Sequence, residues 1–202
     1  MKLMLLCTLV LLSTFHPCNA QRFSGGLKAG LMGTQVDGDG FRGFHKPGIA
    51  AGAWVQLRWA HHHAFQMELG YVQKGSRKNP NYMLDDLEQY ILRTDYIELP
   101  LLYQLIYSEK IAFEAGISLG YLMHTYELTN LQQPNEVPFR RGVVNYIGGI
   151  YYSLNERLDV NFRVNNSIVS LRKADRYYHD TYRFGHWGQF HIALMIGLQL
   201  EL

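Results

Sequence analysis

The sequence has little cysteine, little net charge and almost no helical periodicity, and each shortage excludes a class of protein. Its two cysteines, Cys7 and Cys18, both lie within the first twenty residues. A chain that begins after them has no disulfide, no thiolate metal site and no cysteine nucleophile. The formal net charge of +2 lacks the basic surplus of a nucleic-acid-binding protein. We therefore predict no nucleic-acid partner, and the sequence offers no motif that requires a metal or a cofactor.

The sequence also lacks a hydrophobic run long enough for a membrane-spanning helix, which needs about 20 residues. Its most apolar stretch, Leu3 to Leu12, follows Lys2 and precedes the small-residue exit Cys18-Asn19-Ala20. This arrangement is typical of a cleaved secretory signal peptide. We predict a signal peptide at 1–20 and one domain at 21–202.

The chain is rich in apolar/polar alternation with a period of two, which is the pattern of half-buried strands. In the last segment, Ile192, Leu194, Ile196, Leu198, Leu200 and Leu202 share one face. The pattern predicts eight strands, at about 24–35, 47–59, 64–75, 94–107, 110–125, 142–153, 158–170 and 188–202. We therefore predict an all-β fold, an eight-stranded antiparallel up-and-down barrel with both termini on the same side.

The predicted connections alternate between short and long. Those around 60–63, 108–109 and 155–157 are tight, whereas those around 36–46, 76–93, 126–141 and 171–187 are long. Short periplasmic turns and long external loops are typical of bacterial outer-membrane barrels. The strands also reach the roughly 9 to 11 residues that a tilted membrane strand needs. The sequence therefore predicts a transmembrane barrel in the outer membrane of a Gram-negative envelope.

Side-chain size indicates which face of the strands points outward. An eight-stranded lumen is only just wide enough to be filled by side chains. The apolar face is too bulky for that space, so we expect it to contact lipid, with several of its aromatics in interfacial girdles. Its large residues are Trp59, Phe65, Met67, Leu69, Tyr71, Leu101, Tyr103, Leu105, Tyr107, Phe113 and Tyr152.

The opposite face combines glycines with charges of both signs, as a closed interior requires. Buried charges are tolerated when they are paired and hydrogen-bonded. We therefore predict a lumen charge network that plugs the barrel. Its predicted members are Lys28, Arg58, Glu68, Lys74, Glu98, Glu114, Asp159, Arg163 and Glu201.

The stretch VDGDGFRG, residues 36–43, contains a G-x-G-x-x-G pattern and two aspartates. A dinucleotide fingerprint lies between a strand and a helix, whereas here a strand follows at about Pro47. An EF-hand loop needs an oxygen ligand at its fifth position, which holds Phe41. We interpret the stretch as the first external loop, with a weak cation site at Asp37 and Asp39 as an open alternative.

The histidines offer no clear metal or catalytic site. Consecutive residues do not converge on one ion, so we interpret His61, His62 and His63 as a solvated turn. A barrel enzyme acting on lipid A would set a histidine against a serine. His191 and Ser118 both face the predicted lumen, but nothing in the sequence brings them together. We therefore predict no catalytic residue and no enzyme activity.

Two long loops carry further patterns. Residues 172–189 mix aromatic and basic side chains, as recognition surfaces do, although such a loop can equally form a lid over the lumen. The candidate recognition residues are Arg176, Tyr177, Tyr178, Tyr182, Arg183, Phe184 and Trp187. In the second long loop, Leu84, Leu87 and Ile91 have helical spacing, which indicates a short amphipathic helix.

Four predicted strands resemble one family. FSGGLKAGL, FQMELGYVQKGS, DYIELPLLYQL and IAFEAGISLGYLM are similar to strands of the PorT-like outer-membrane β-barrel family of Bacteroidetes. The most specific piece is Tyr96 to Leu101. The resemblance implies an eight-stranded outer-membrane barrel and no catalytic residue, and the founding member is associated with type IX protein secretion. Pro100 within this piece predicts a local irregularity of its strand.

The sequence therefore predicts an integral outer-membrane barrel with a plugged lumen, which acts as a binding, structural or secretion-accessory protein through its extracellular loops. Outer-membrane lipid would surround it, and other outer-membrane or secretion proteins are candidate partners. Three alternatives stay open: a type IX secretion component, a lipid-A-modifying barrel enzyme and a soluble lipocalin-like carrier. No particular small-molecule ligand is indicated.

Overall fold

The computed structural model describes residues 22–130, 137–172 and 181–202. Their strands are β1 (Arg22–Asp37), β2 (Lys46–Ala60), β3 (His63–Lys78), β4 (Tyr90–Ile106), β5 (Ile111–Thr129), β6 (Gly142–Asn155), β7 (Leu158–Ser167), β8 (Thr181–Arg183), β9 (His186–Gly188) and β10 (Phe190–Glu201). A single 3₁₀ turn, Tyr82–Leu84, lies between β3 and β4. The predicted signal peptide, 1–20, lies outside the described residues.

Eight of these strands close into an antiparallel barrel in the order β1-β10-β7-β6-β5-β4-β3-β2. Strands of the barrel that follow one another in the chain pair with each other, and the last strand, β10, pairs with the first, β1. That closing seam runs from the pair Gly26–Glu201 to the pair Asp37–Phe190. Closure leaves the barrel sheet without a free edge, and it confirms the predicted up-and-down barrel.

The connections divide the barrel into a turn side and a loop side. Tight turns join β2 to β3, β4 to β5 and β6 to β7, and long connections join the other neighbours, as predicted. In the part of the chain that is described, no helix is long and apolar enough to cross a membrane. The loop side carries the first loop, which contains Asp37 and Asp39, and the predicted recognition loop.

The alternation of faces is also as predicted. Of the eleven large residues predicted for the outward face, Tyr71 and Leu101 are half-buried and nine are exposed by 41–72%: Trp59, Phe65, Met67, Leu69, Tyr103, Leu105, Tyr107, Phe113 and Tyr152. These side chains contact the membrane, because the opposite face is enclosed by the barrel. On the turn side the rings of Trp59 and Tyr103 lie 6.1 Å apart, as expected of an aromatic girdle.

Two local features differ from expectation. The predicted helix over Leu84 to Ile91 is wrong: Asp85 adopts a left-handed φ of 52°, Asn81 pairs with Asp86, and β4 begins at Tyr90. A left-handed residue ends a helical turn. The hairpin β8–β9 was not predicted.

The irregularity predicted at Pro100 is present. The ladder between β3 and β4 is interrupted between the pairs Met67–Leu101 and Gly70–Glu98, while Pro100 itself pairs with Ser118 of β5. A proline has no N–H to donate to a ladder. β4 therefore continues through Pro100, and its pairing is interrupted only on the side of β3.

Candidate functional site

The middle of the lumen holds a four-residue ion group built from alternate strands: Lys28 of β1, Glu68 of β3, Glu114 of β5 and Arg163 of β7. The Arg163 guanidinium donates to Glu68 from Nη1 and Nη2 at 2.8 and 2.6 Å, and from Nη2 to Glu114 at 2.8 Å. Its Nε also donates to Glu114. The Lys28 ammonium lies 3.3 Å from Glu68. Two cations thus face two carboxylates, so the group is neutral.

Glycine makes the room that this ion group needs. At Gly149 of β6, a Cβ would lie 2.6 Å from Glu114 Oε1 and 2.7 Å from the Phe162 carbonyl oxygen. Any side chain at this position would therefore displace both the ion group and the neighbouring backbone. The alternation of large charged and small residues on the lumen face is a packing requirement.

A second ion pair lies nearer the loop side. Lys74 Nζ donates to Glu98 Oε1 at 2.6 Å and to Asn165 Oδ1 at 3.1 Å. Ser118 and Asn145 each donate to the Glu98 carboxylate at 3.2 Å. This pair is also neutral, and its polar neighbours satisfy the remaining hydrogen-bonding sites of the carboxylate.

The structure thus brings together six of the nine predicted lumen charges, in two groups. The other three, Arg58, Asp159 and Glu201, lie outside both groups and line a cavity of ≈ 400 Å³ that opens on the turn side. Among the described residues none of the three has an oppositely charged partner within 4.0 Å. Their positions in the strands place them on the lumen face, as predicted. They lie so near the turns, however, that water takes the place of protein partners. The single network that was predicted is therefore two groups and a solvated vestibule.

Above the ion groups an apolar layer fills the loop side of the lumen. Its buried members are Val36, Tyr90, Leu92, Tyr96, Val143 and Leu171. Leu92 is fully buried and Leu171 is 2% exposed, although Leu171 follows β7 in a connection that the alternation pattern does not describe. This segment folds into the mouth of the barrel, and Leu171 N donates to the Gln189 carbonyl at 2.8 Å.

Arg172 completes the layer, although it looked like part of an exposed recognition loop. Only 1% of Arg172 is exposed. Its guanidinium donates to both oxygens of Glu127 at 2.7 and 3.1 Å and to Gln189 Oε1 at 2.8 Å, and it lies 4.3 Å above the Phe139 ring. Tyr90 also donates to Glu127. Sequence reasoning missed this site because its carboxylate is 45 residues away in the chain.

The hairpin β8–β9 carries the described part of the predicted recognition loop. Tyr182, Phe184 and Trp187 are each more than half exposed, and the Tyr182 and Trp187 rings face each other at 5.4 Å. Arg183 pairs with Asp37 at 2.6 Å. Phe184 lies 6.1 Å from the outward-facing Tyr146 ring, so the hairpin leans over the outer side of the rim. Arg176, Tyr177 and Tyr178 lie outside the described residues.

The aspartates of the first loop have separate structural roles. Asp37 pairs with Arg183 and accepts from Thr181 Oγ1 at 3.2 Å, which ties the first loop to the hairpin. Asp39 is buried, and its Oδ1 accepts from the Phe41 amide at 2.8 Å. Within the described ranges no three side chains form a metal-binding group. Burial raises the pKa of the Asp39 carboxyl to about 6.

This raised pKa predicts a pH-dependent first loop. Because the folded state holds the Asp39 proton more tightly than the unfolded state, stability is highest below about pH 4 and falls as pH rises towards 6. We expect amide exchange at Phe41 to accelerate by about tenfold across this window, relative to Asp39→Asn measured at each pH. The exposed Asp85→Asn variant is the control, and it should behave like the native protein. Equal pH dependence in all three proteins would contradict this prediction.

The structure does not bring the serine and histidine candidates into contact. Ser118 donates to Glu98, whereas His191 Nε2 lies 3.1 Å from Thr94 Oγ1 and 3.4 Å from the Tyr96 hydroxyl. The turn histidines also diverge: His62 contacts the Ile106 carbonyl, and His63 bonds the Tyr103 hydroxyl at 2.6 Å. His63 thus belongs to the aromatic girdle rather than to the solvated turn that was expected.

Comparison with known proteins agrees with this architecture. Residues 19–172 match the family model described as outer membrane protein beta-barrel domain. Neisserial surface protein A has 11% sequence identity, a TM-score of 0.54, and coverage of 90% of this chain and 100% of that chain. No curated protein matches the sequence.

Two further solved barrels overlap most of the chain at lower structural similarity. Ail of Yersinia pestis, solved in complex with the heparin analogue sucrose octasulfate, has 7% identity and a TM-score of 0.48, with coverage of 90% of this chain and 99% of that chain. OprG of Pseudomonas aeruginosa has 12% identity and a TM-score of 0.41, with coverage of 89% and 94%. At these identities the likeness concerns the fold alone.

Proposed function

Because the chain belongs to the outer membrane protein beta-barrel domain family, we propose that it is a barrel with a closed lumen that acts by binding at its external surface. It resides in the outer membrane, so the soluble lipocalin-like carrier is no longer an alternative. Its outward face contacts outer-membrane lipid.

One observation carries the proposal: three successive layers of buried contacts cross the lumen. The Arg163 group, the Lys74–Glu98 pair and the apolar layer capped by Arg172 follow one another from the middle to the loop side. A passing solute would have to separate ion pairs in a space of low dielectric, where breaking a pair costs several kcal/mol. A barrel of this kind acts through its surface.

The closed lumen predicts the absence of a conducting pore. We expect the purified protein in planar lipid bilayers to give no stepwise current in molar KCl. An open outer-membrane porin inserted in the same bilayers is the control for insertion and detection. The result should persist in Arg172→Ala, because the two ion groups below the cap still fill the lumen. Regular current steps from the native protein would mean that the lumen is open.

The external hairpin is the best-defined candidate for partner binding. Tyr and Trp are enriched where few residues contribute most of the binding energy, and here three aromatic side chains are exposed together. A photo-crosslinking residue at Trp187 or Tyr182 in living cells should give a discrete protein adduct. The matched position is Tyr107, which is equally aromatic and 72% exposed on the turn side. The same adduct at all three positions, or none at the hairpin, would argue against a loop-side protein partner.

A secretion-accessory role within this proposal is supported by the resemblance of β4 to PorT-like proteins. The stretch that carries it, Tyr96 to Leu101, places Glu98 in the lumen ion pair and Tyr96 in the apolar layer. A deletion strain should then lose export of proteins that use type IX secretion, and the purified barrel should co-isolate with other secretion components. Normal export in that strain would leave general surface binding as the function.

We propose that the protein has no enzymatic activity, which leaves the lipid-A-modifying barrel enzyme as the runner-up. Support comes from Ser118 and His191, whose hydrogen bonds go to different partners and not to each other. Mass spectrometry of lipid A from a deletion strain should show unchanged acylation. A changed acyl pattern that the native gene restores would support the enzyme instead.

A further inference from the structure

The outer side of the loop-side rim carries a cluster of polar and charged residues from β2 to β5, which the ammonium of the buried Lys46 reaches at Gln73. We name it the rim cluster: Lys46, Gln73, Arg77, Arg93, Asp95 and His124. The register pairs Gln73 with Asp95 and Asp95 with His124, so these three side chains are neighbours across three strands. Arg93 and Arg77 follow on the same faces of β4 and β3.

The rim cluster lies at the expected height of the membrane interface. Directly below the row of Gln73, Asp95 and His124 is the outward-facing row of Tyr71, Ile97 and Tyr121. Two residues along a strand span about 7 Å, and tyrosines of such barrels mark the boundary between hydrocarbon and headgroups. The charged groups of the cluster therefore lie at the level of the lipid headgroups.

The cluster has more positive charge than its own carboxylate can balance. Asp95 is bound by Arg93 Nε, 3.1 Å from each oxygen, and His124 approaches it to 3.7 Å. Lys46 Nζ contacts only neutral oxygens, the Pro47 carbonyl at 2.8 Å and Gln73 Oε1 at 3.4 Å. In the described ranges no carboxylate lies within 4.0 Å of Lys46 or Arg77.

The unbalanced charges are concentrated rather than scattered. Lys46 is only 8% exposed, and the positive charges of Arg93 and Arg77 act on it against the single negative charge of Asp95. A buried cation without a carboxylate in contact is unfavourable, so the cluster favours an anion from outside the chain. Arg77 also lines a neighbouring cavity of ≈ 720 Å³ with Arg42, His45 and Lys78, and no lining residue of that cavity is acidic.

Below the cluster the membrane-facing surface carries small side chains that an acyl chain can lie against. Ala51 and Ala53 of β2 face Tyr71 and Leu69 of β3 in the register. The pocket beside these four residues continues through the wall to the lumen charges Lys28, Glu68, Glu98 and Arg163. Small side chains beside large ones leave a depression in an otherwise bulky surface. The depression begins at Tyr71, where the headgroup level ends.

We propose that the rim cluster is a binding site for a phosphorylated glycolipid of the outer leaflet. Lys46, Arg77 and Arg93 hold its phosphate, and an acyl chain lies over Ala51 and Ala53. Arginine and lysine form charge-assisted hydrogen bonds with phosphate oxygens, and basic pockets at the membrane surface bind lipid headgroups in the same way. The site is separate from the hairpin and from the lumen, so its test does not depend on the function proposed above.

The test measures binding of lipid A to the full barrel in detergent micelles, by the shift of its unfolding midpoint with lipid concentration. The double variant Lys46→Gln/Arg77→Gln should lose affinity by about tenfold or more. The charge-matched control Lys110→Gln/Arg157→Gln, on exposed turns of the opposite side, should bind like the native protein. Both variants should keep the heat-modifiable migration of a folded barrel.

Two further ligands identify what is bound. The native protein should bind dephosphorylated lipid A about tenfold more weakly than lipid A. The double variant should bind the two lipids with equal affinity. Inorganic phosphate alone should give no comparable shift. The proposal is overturned if the dephosphorylated lipid binds as tightly, if inorganic phosphate suffices, or if the double variant binds like its control.

Discussion

Replacement of Arg163 by methionine is expected to destabilise the barrel by about 3 to 5 kcal/mol, since removal of one partner leaves buried charge uncompensated. Arg163 is 4% exposed and neutralises both Glu68 and Glu114. Lys28 would remain with two carboxylates, and it lies within 4.0 Å of Glu68 alone. Methionine fills much of the same volume, so the expected loss arises from charge rather than from a cavity.

The measurement is equilibrium unfolding by urea in micelles, followed by the loss of heat-modifiable migration. The matched variant is Arg163→Met combined with Glu114→Gln, which restores one cation and one anion in the group. It should recover a large part of the lost stability, because replacement of a whole buried pair is often near neutral. If the single variant unfolds at the native urea concentration, the ion group contributes little and the lumen is more hydrated than its contacts indicate.

The strands and their faces could be predicted because both follow from local pattern. A period of two decides which residues share a face, and side-chain volume decides which face fits a narrow lumen. For this reason the positions of Glu68, Glu98 and Arg163 in the lumen could be predicted. Their division into two ion groups could not, because the partners of Arg163 are 49 and 95 residues away in the chain.

The loop side was less predictable, because hydrophobic periodicity carries little information there. Arg172 looked like its basic neighbours in the sequence, and only the approach of Glu127 from β5 makes it a buried cap. The helical spacing of Leu84, Leu87 and Ile91 was outweighed by the left-handed Asp85. The excess of positive charge around Lys46 could not be predicted either, because its neighbours come from β3 and β4.

Substitution of Ile196 by arginine is expected to cost about 2 to 4 kcal/mol, because a charge on the lipid face is least tolerated at the bilayer midplane. Ile196 lies in the middle of β10, is 58% exposed, and pairs with the outward-facing Leu31 and Phe162. The matched variant is Leu200→Arg. Leu200 lies on the same face of β10, four residues nearer to the turn side of the barrel. Near the interface the same charge should cost only about 0 to 1 kcal/mol.

The difference between these two variants is the informative quantity, because it separates lipid from water as the medium around β10. In water, arginine at either exposed position would be nearly neutral, so the two variants would unfold together. In the membrane, Ile196→Arg should unfold at a clearly lower urea concentration than Leu200→Arg in lipid bilayers. Ile196→Leu keeps the apolar character and should stay within about 1.5 kcal/mol of the native protein. If the loss of stability caused by arginine depends on depth at these exposed positions, the surface around them faces hydrocarbon.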